Sequence, residues 1–227
     1  MNNPARAHFD VSRLDGVSAD ETVPTDGSQF GFLQAKYLFD QVMAVVLLIL
    51  FLPFLLLAAL AIELTSPGAA LFVQWRVGER GRLFRMYKLR TMVADAETRS
   101  GPVWAASNDP RCTPVGKILR ATHLDELPQL INVLRGEMSL VGPRPERPVF
   151  VKTFNQTIPN YGARHEVRPG ITGLAQVYNG YDQTLQDVRR KLAYDLLYIR
   201  RMSFLTDLRI CVATLKKALP IAEVKPA

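Results

Sequence analysis

The longest apolar run, Val42–Ile62, is uncharged and lies between Asp40 and Glu63. As a helix it would rise roughly 31 Å, enough to cross the hydrocarbon of a bilayer. Pro53 sits at its midpoint and removes a rung from the hydrogen-bond ladder. Two topologies are open. One is a kinked single span, which membrane helices tolerate; the other is a pair of half-helices that enter and leave by one face. Composition by itself favours the span. Upstream, residues 1–35 are polar, rich in aspartate and aperiodic, and read as a poorly ordered tail. The apolar run starts too late for a signal-peptide layout.

Beyond it, apolar and aromatic residues over Ala70–Trp75 and Leu83–Leu89 flank Gly78 and Gly81, which predicts a small hairpin. Asn108-Asp109-Pro110 reads as a turn, and Thr113-Pro114 as a capped helix start. Leu124, Leu127, Leu130, Ile131 and Leu134 then recur at helical spacing, with Gly136 as a stop. Pro128 requires that helix to begin within about a turn of itself. Asp125 and Glu126 therefore fall in its first turn, where free N–H groups and the helix dipole favour negative charge. Val141-Gly142-Pro143-Arg144-Pro145 is stiff and non-helical, and Arg168–Gly173 is a further loop. Leu185, Val188, Leu192, Leu196 and Ile199 mark a long amphipathic helix. Phe204–Leu219 is a second, suited either to a membrane surface or to a core.

The pattern gives an α-rich α+β chain with one N-terminal membrane helix, amphipathic helices and a small β-hairpin. Its divisions are a tail (1–35), the membrane segment (36–66), one main domain (67–220) and a short end (221–227).

Charge sharpens this picture. The net charge is +7, yet Arg6 and Arg13 stand against Asp10, Asp15, Asp20, Glu21 and Asp26, so the rest of the chain is more basic than the total. A basic domain implies an anionic partner: a phosphate ligand, anionic lipid or nucleic acid. Most Lys and Arg follow the apolar run, which places that side in the cytoplasm. Two cysteines without a CxxC spacing argue against a zinc site or a disulfide framework.

Candidate chemistry rests on cations in constrained settings. Lys88 and Arg90 leave the hairpin, Arg120 precedes the acidic pair, Arg144 lies between two prolines, and Arg168 precedes Pro-Gly. A guanidinium on a rigid backbone suits bidentate phosphate recognition. Each arginine taken singly fits a structural salt bridge better, but four together with an acidic pair beside a membrane fit phosphate chemistry better. The carboxylate pair Asp125-Glu126 could hold a divalent cation such as magnesium, which offsets phosphoryl charge. His123 could tune Asp125, cap the helix or simply pack. No P-loop, dinucleotide fingerprint or GxSxG elbow is present.

Several of these segments occur in an order that resembles the bacterial sugar transferase family. They are Phe39-Asp40, Gln74–Gly78, Tyr87–Met92, Leu124–Gln129, Val141–Pro145 and Arg168–Gly173. The match covers about Lys36 to Leu219. It resembles the small monotopic polyprenyl-phosphate phosphoglycosyl transferases that start exopolysaccharide and O-antigen assembly. The resemblance implies transfer of a phosphosugar from a UDP-sugar to undecaprenyl phosphate, with release of UMP. It makes Asp125 the nucleophile of a covalent phosphosugar intermediate and requires Mg2+, with Asp125 and Glu126 as its ligands or Glu126 handling a proton. Lys88, Arg90, Arg120, Arg144 and Arg168 become phosphate contacts. Family members carry a re-entrant helix broken at proline, so the resemblance favours a break at Pro53 with both ends on the cytoplasmic face of the bacterial inner membrane. Leu52 stands where serine often precedes that proline, and His123 where small polar residues are frequent. A homodimer is expected by analogy only. The sugar is not specified. The alternative from another class is a membrane-anchored, non-catalytic basic module of a polysaccharide assembly complex. Nucleic-acid binding is disfavoured by the membrane segment and by the lack of interleaved aromatic and basic residues.

Overall fold

In the structure, a computed structural model, residues 27–94, 96, 109–179 and 184–218 are described. Most of the predicted tail, the end at 221–227 and Asn108 of the predicted turn lie outside them.

Helix α1 runs from Gly27 to Thr65. It begins inside the stretch read as tail because apolar groups there find partners far along the chain. The Phe32 ring meets Phe204 edge-on at 5.3 Å, and Leu33 packs on the main core. Pro53 lies inside α1, and helical backbone continues on both sides of it. The window Gly31–Thr65 is long and apolar enough to cross a membrane. Both flanks of Pro53 also pack on the main domain. Upstream, Lys36 Nζ lies 2.6 Å from Asp207 and 3.2 Å from Asp40, and Ala44, Leu47 and Leu48 join a core cluster. Downstream, Leu55, Ala58, Ala59 and Ile62 pack with Leu89 and Leu119.

The predicted hairpin forms from β1 (Leu71–Val77) and β2 (Leu83–Leu89), antiparallel with Leu71 opposite Leu89. Phe84 and Met86 turn inward against Leu130 and Val133. Leu71, Val73, Trp75 and Leu83 stay exposed. Helix α2 (Pro114–Ala121) starts as expected, the Thr113 hydroxyl accepting from the Gly116 N–H at 2.9 Å.

The predicted central helix is shorter and divided. Leu124–Glu126 forms one tight 3-10 turn, and α3 spans only Gln129–Leu134 before Gly136 ends it at φ 73°. Pro128 caps α3, as its missing N–H requires. Strands β3 (Ser139–Val141) and β4 (Gly170–Thr172) pair in parallel, which the sequence pattern did not indicate. Their contact depends on glycine: a Cβ at Gly170 would lie 2.1 Å from the Gly142 nitrogen. Helix α4 (Pro148–Thr157) was likewise not anticipated. After α5 (Leu174–Tyr178), the amphipathic helices appear as α6 (Leu185–Arg200) and α7 (Phe204–Ala218). Thr184 and Asp187 close a reciprocal capping box on α6. Helix α6 fills the main core with Leu192, Leu196, Tyr198 and Ile199. Helix α7 packs one face inward, with Ile210 buried, while Leu205, Leu208, Val212 and Leu215 are exposed.

Candidate active site

The acidic pair is built on a strained entry. His123 takes the left-handed conformation at φ 56° and is exposed, so α2 ends and the chain turns into the 3-10 turn that carries Asp125 and Glu126. A histidine in that region costs roughly 1 kcal/mol or more. His123 makes no side-chain cap bond. It shapes the backbone rather than capping it.

The two carboxylates are treated differently. Glu126 is fully engaged: Lys88 Nζ donates to it at 2.9 Å, and Arg144 donates through both terminal nitrogens, one at 3.1 Å. Burial would raise the Glu126 carboxyl, but Arg144 and Lys88 outweigh it and hold the group well below the ordinary glutamate range. Asp125 is 7% exposed and makes no hydrogen bond or ion pair among the described residues. Its pKa is pushed up by burial, against the pull of Lys88, Arg144 and Arg120. The short helical segment supplies little dipole, so burial rather than helix position sets the direction. One acid is therefore locked into ion pairs, and its neighbour is left open beside three cations.

Each of those cations has its own support. Lys88 comes from β2, where burial lowers its pKa and Glu126 opposes that. Arg120, at the end of α2, is held by Nε donating to the Thr91 hydroxyl at 3.0 Å. Arg144 projects from between Pro143 and Pro145, as the sequence implied. Arg90 and Arg168 are engaged elsewhere. Arg90 donates to the Ser66 and Pro67 carbonyls and ties the end of α1 to β2. Arg168 lies 3.9 Å over the Tyr37 ring and 3.7 Å from Glu79.

A layer of charge behind Arg144 went unnoticed in the sequence. Glu146 receives Lys191 at 3.1 Å and Arg76 at 3.4 Å, and Arg76 also donates to the Pro145 carbonyl at 3.1 Å. Burial would raise the Glu146 carboxyl; Lys191 and Arg76 bring it down to about 2. Arg164, paired with Asp195, completes this layer. The partners are distant in sequence, and the one local signal was the acid that follows Gly142-Pro143-Arg144-Pro145.

For a divalent cation the fit is uneven. Among the described residues no group of three or more His, Cys, Asp or Glu converges. The Glu126 oxygens already face cations, whereas the Asp125 carboxylate is open. This suits a magnesium ion held by one carboxylate and by the phosphate oxygens of a substrate, its common coordination.

An unpaired carboxylate in a buried, cationic setting, on a helix-rich domain built around an apolar helix, suits a phosphorylated substrate. Comparison with known proteins agrees. Residues 32–220 match the Bacterial sugar transferase family, and the chain belongs to that family. It is 48% identical over 188 residues to a UDP-glucose:undecaprenyl-phosphate glucose-1-phosphate transferase of Caulobacter vibrioides, covering 81% of this chain and 69% of that protein. It is 46% identical over 180 residues to a UDP-N-acetylgalactosamine-undecaprenyl-phosphate N-acetylgalactosaminephosphotransferase of Aeromonas hydrophila, covering 79% of this chain but only 42% of that protein. An exopolysaccharide production protein of Rhizobium leguminosarum bv. phaseoli is 41% identical over 80% of this chain and 94% of its own length.

Proposed function

We propose that this protein transfers a phosphosugar from a UDP-sugar to undecaprenyl phosphate, with Asp125 as nucleophile. The observation that carries this reading is the contrast between the pinned Glu126 and the open, buried Asp125. In the first step an Asp125 oxygen bonds to the phosphorus that bears the sugar, as the bond from that phosphorus to UMP breaks. In the second, an oxygen of the lipid phosphate bonds to the same phosphorus and the Asp125 carboxylate leaves. Splitting the transfer lets each acceptor meet one activated phosphorus in turn. Lys88, Arg120 and Arg144 offset the charge on the phosphoryl oxygens as it redistributes. A magnesium ion, when bound at Asp125, neutralises diphosphate charge. Glu126 orients Arg144 and Lys88 toward that place.

The membrane reading is that of a monotopic protein on the cytoplasmic face of the bacterial inner membrane. It is supported by the packing of both flanks of Pro53 on one domain, since a spanning helix would carry one end away from it. The relatives act on different sugars, so the donor is left to measurement.

The test is UMP release by purified protein in detergent with undecaprenyl phosphate, magnesium and a panel of UDP-sugars. Lipid-dependent release with one donor, absent in Asp125→Asn, is expected, together with a sugar-phosphate adduct on the peptide carrying Asp125. Near-normal turnover by Asp125→Asn would remove the nucleophile assignment. Without release from any donor, tight nucleotide binding would point to a donor outside the panel, and absence of nucleotide binding would favour the non-catalytic module.

A further inference from the structure

Behind Arg144 lies a buried ion pair for which stability offers a poor explanation. The Arg164 and Asp195 side chains are 1% and 2% exposed and meet at 2.7 Å. Arg164 stands in the short helical turn Tyr161–His165, and Asp195 on the inner face of α6. Nε of Arg164 donates to Asp195 at 2.9 Å, and Nη1 to the Tyr161 hydroxyl at 2.8 Å. Nη2, the nitrogen that lies 2.7 Å from Asp195, also donates at 2.8 Å to the backbone carbonyl of Arg144. A buried ion pair costs about as much to desolvate as it returns, and apolar side chains of equal volume do as well or better. What apolar groups cannot supply is a donor to that carbonyl. The planar fork of arginine can hold Asp195 and the carbonyl together, which a lysine ammonium does poorly.

We propose that Arg164 and Asp195 are a positioning pair for Arg144, fixing the backbone from which its guanidinium reaches Glu126. This rests on the reading above, in which Arg144 serves phosphosugar transfer. Pro143 and Pro145 restrict the local dihedrals, Arg164 fixes where that stiff segment sits, and the guanidinium then closes on Glu126. The order of action runs from α6 to the acidic pair, although neither member of the pair touches the reacting atoms.

The experiment uses the full chain in detergent with whichever UDP-sugar the panel shows to be the donor. Arg164→Lys is expected to lower kcat/KM about 10- to 100-fold, the usual consequence of a small misplacement. In an Arg144→Ala background the same substitution should cost less than about twofold, because the group it positions is gone. Arg164→Met/Asp195→Leu should melt below wild type only by the loss of the Arg144 carbonyl and Tyr161 hydroxyl partners, and remain as slow as Arg164→Lys. Wild-type rates in Arg164→Lys, an undiminished loss in the Arg144→Ala background, or restored turnover in the apolar double variant would each overturn the proposal. Melting curves give a readout that needs no turnover. Coupling between Arg144→Ala and Glu126→Gln should shrink when Arg164 is lysine, and unchanged coupling overturns the positioning role. If wild type releases UMP from no donor, the transfer reading fails and the melting cycle still decides this one.

Discussion

At the scale of single residues, the site separates a carboxylate held in ion pairs, Glu126, from one left unpaired among the described residues, Asp125. Asp125 bears a buried carboxylate without a partner, and a raised acid pKa means that its ionised form costs stability at neutral pH. Asp125→Asn should therefore abolish transfer and raise the melting temperature, as calorimetry would show; a lowered melting temperature would mean the carboxylate is held after all. Glu126 behaves oppositely. Glu126→Gln leaves Lys88 and Arg144 without their counter-charge and should cost about 3 kcal/mol, read from denaturant unfolding. The pH profile of kcat/KM follows from the same groups. In the proposed mechanism Asp125 attacks in its ionised form, so the acid limb should lie above the ordinary aspartate value of 3.8. Lys88 must be charged, so the basic limb should lie below 10.5. Stability has its own window. Glu126 and Glu146 sit below their ordinary 4.5, so their contribution is complete above that value and is lost as pH falls toward about 2 for Glu146. The family resemblance, more than local context, singles out Asp125, Glu126 and Arg144 in the sequence, and the structure brings Glu126 and Arg144 into contact beside Asp125. Arg164, Asp195 and Lys191 were not legible there, since their partners come from segments far apart along the chain.

Among the elements, legibility followed local signals. Thr113-Pro114 and the Gly136 stop each act within one turn, and the structure has both. The β3–β4 pairing is non-local and three residues long, too short for a period to register. Its trace was a pair of glycines whose reason appears only when the strands are docked. Gly170→Ala places a Cβ against the Gly142 backbone and should destabilise the fold by about 3 kcal/mol, measured by chemical denaturation. Helix α7 could be read for its two faces but not for the side each would take. Its exposed leucines suit an apolar surface, so Leu208→Glu with Leu215→Glu should weaken vesicle flotation and leave the melting temperature unchanged. A fall in both would place those side chains in the core.

On the scale of the whole molecule, topology and catalysis share a frame. With Cys112 and Cys211 replaced by serine, Gly31→Cys and Glu63→Cys lie at exposed positions on either side of Pro53. In inverted inner-membrane vesicles both should react with an impermeant maleimide; labelling of one alone would restore the spanning helix. The sequence left that choice open because hydropathy reports length and not the place to which the chain returns. Ala44, Leu47 and Leu48 close the same cluster as Leu130 and Val133, next to the acidic turn. Deleting α1 would therefore not release a soluble catalytic fragment; it would open the wall on which Asp125 is mounted. Since the same helix also exposes apolar side chains such as Ile49, Leu56 and Leu57, an amphiphile that covers them would act as a ligand of the native state. Thermal inactivation should then track micelle chemistry, and a purification screen becomes a binding titration.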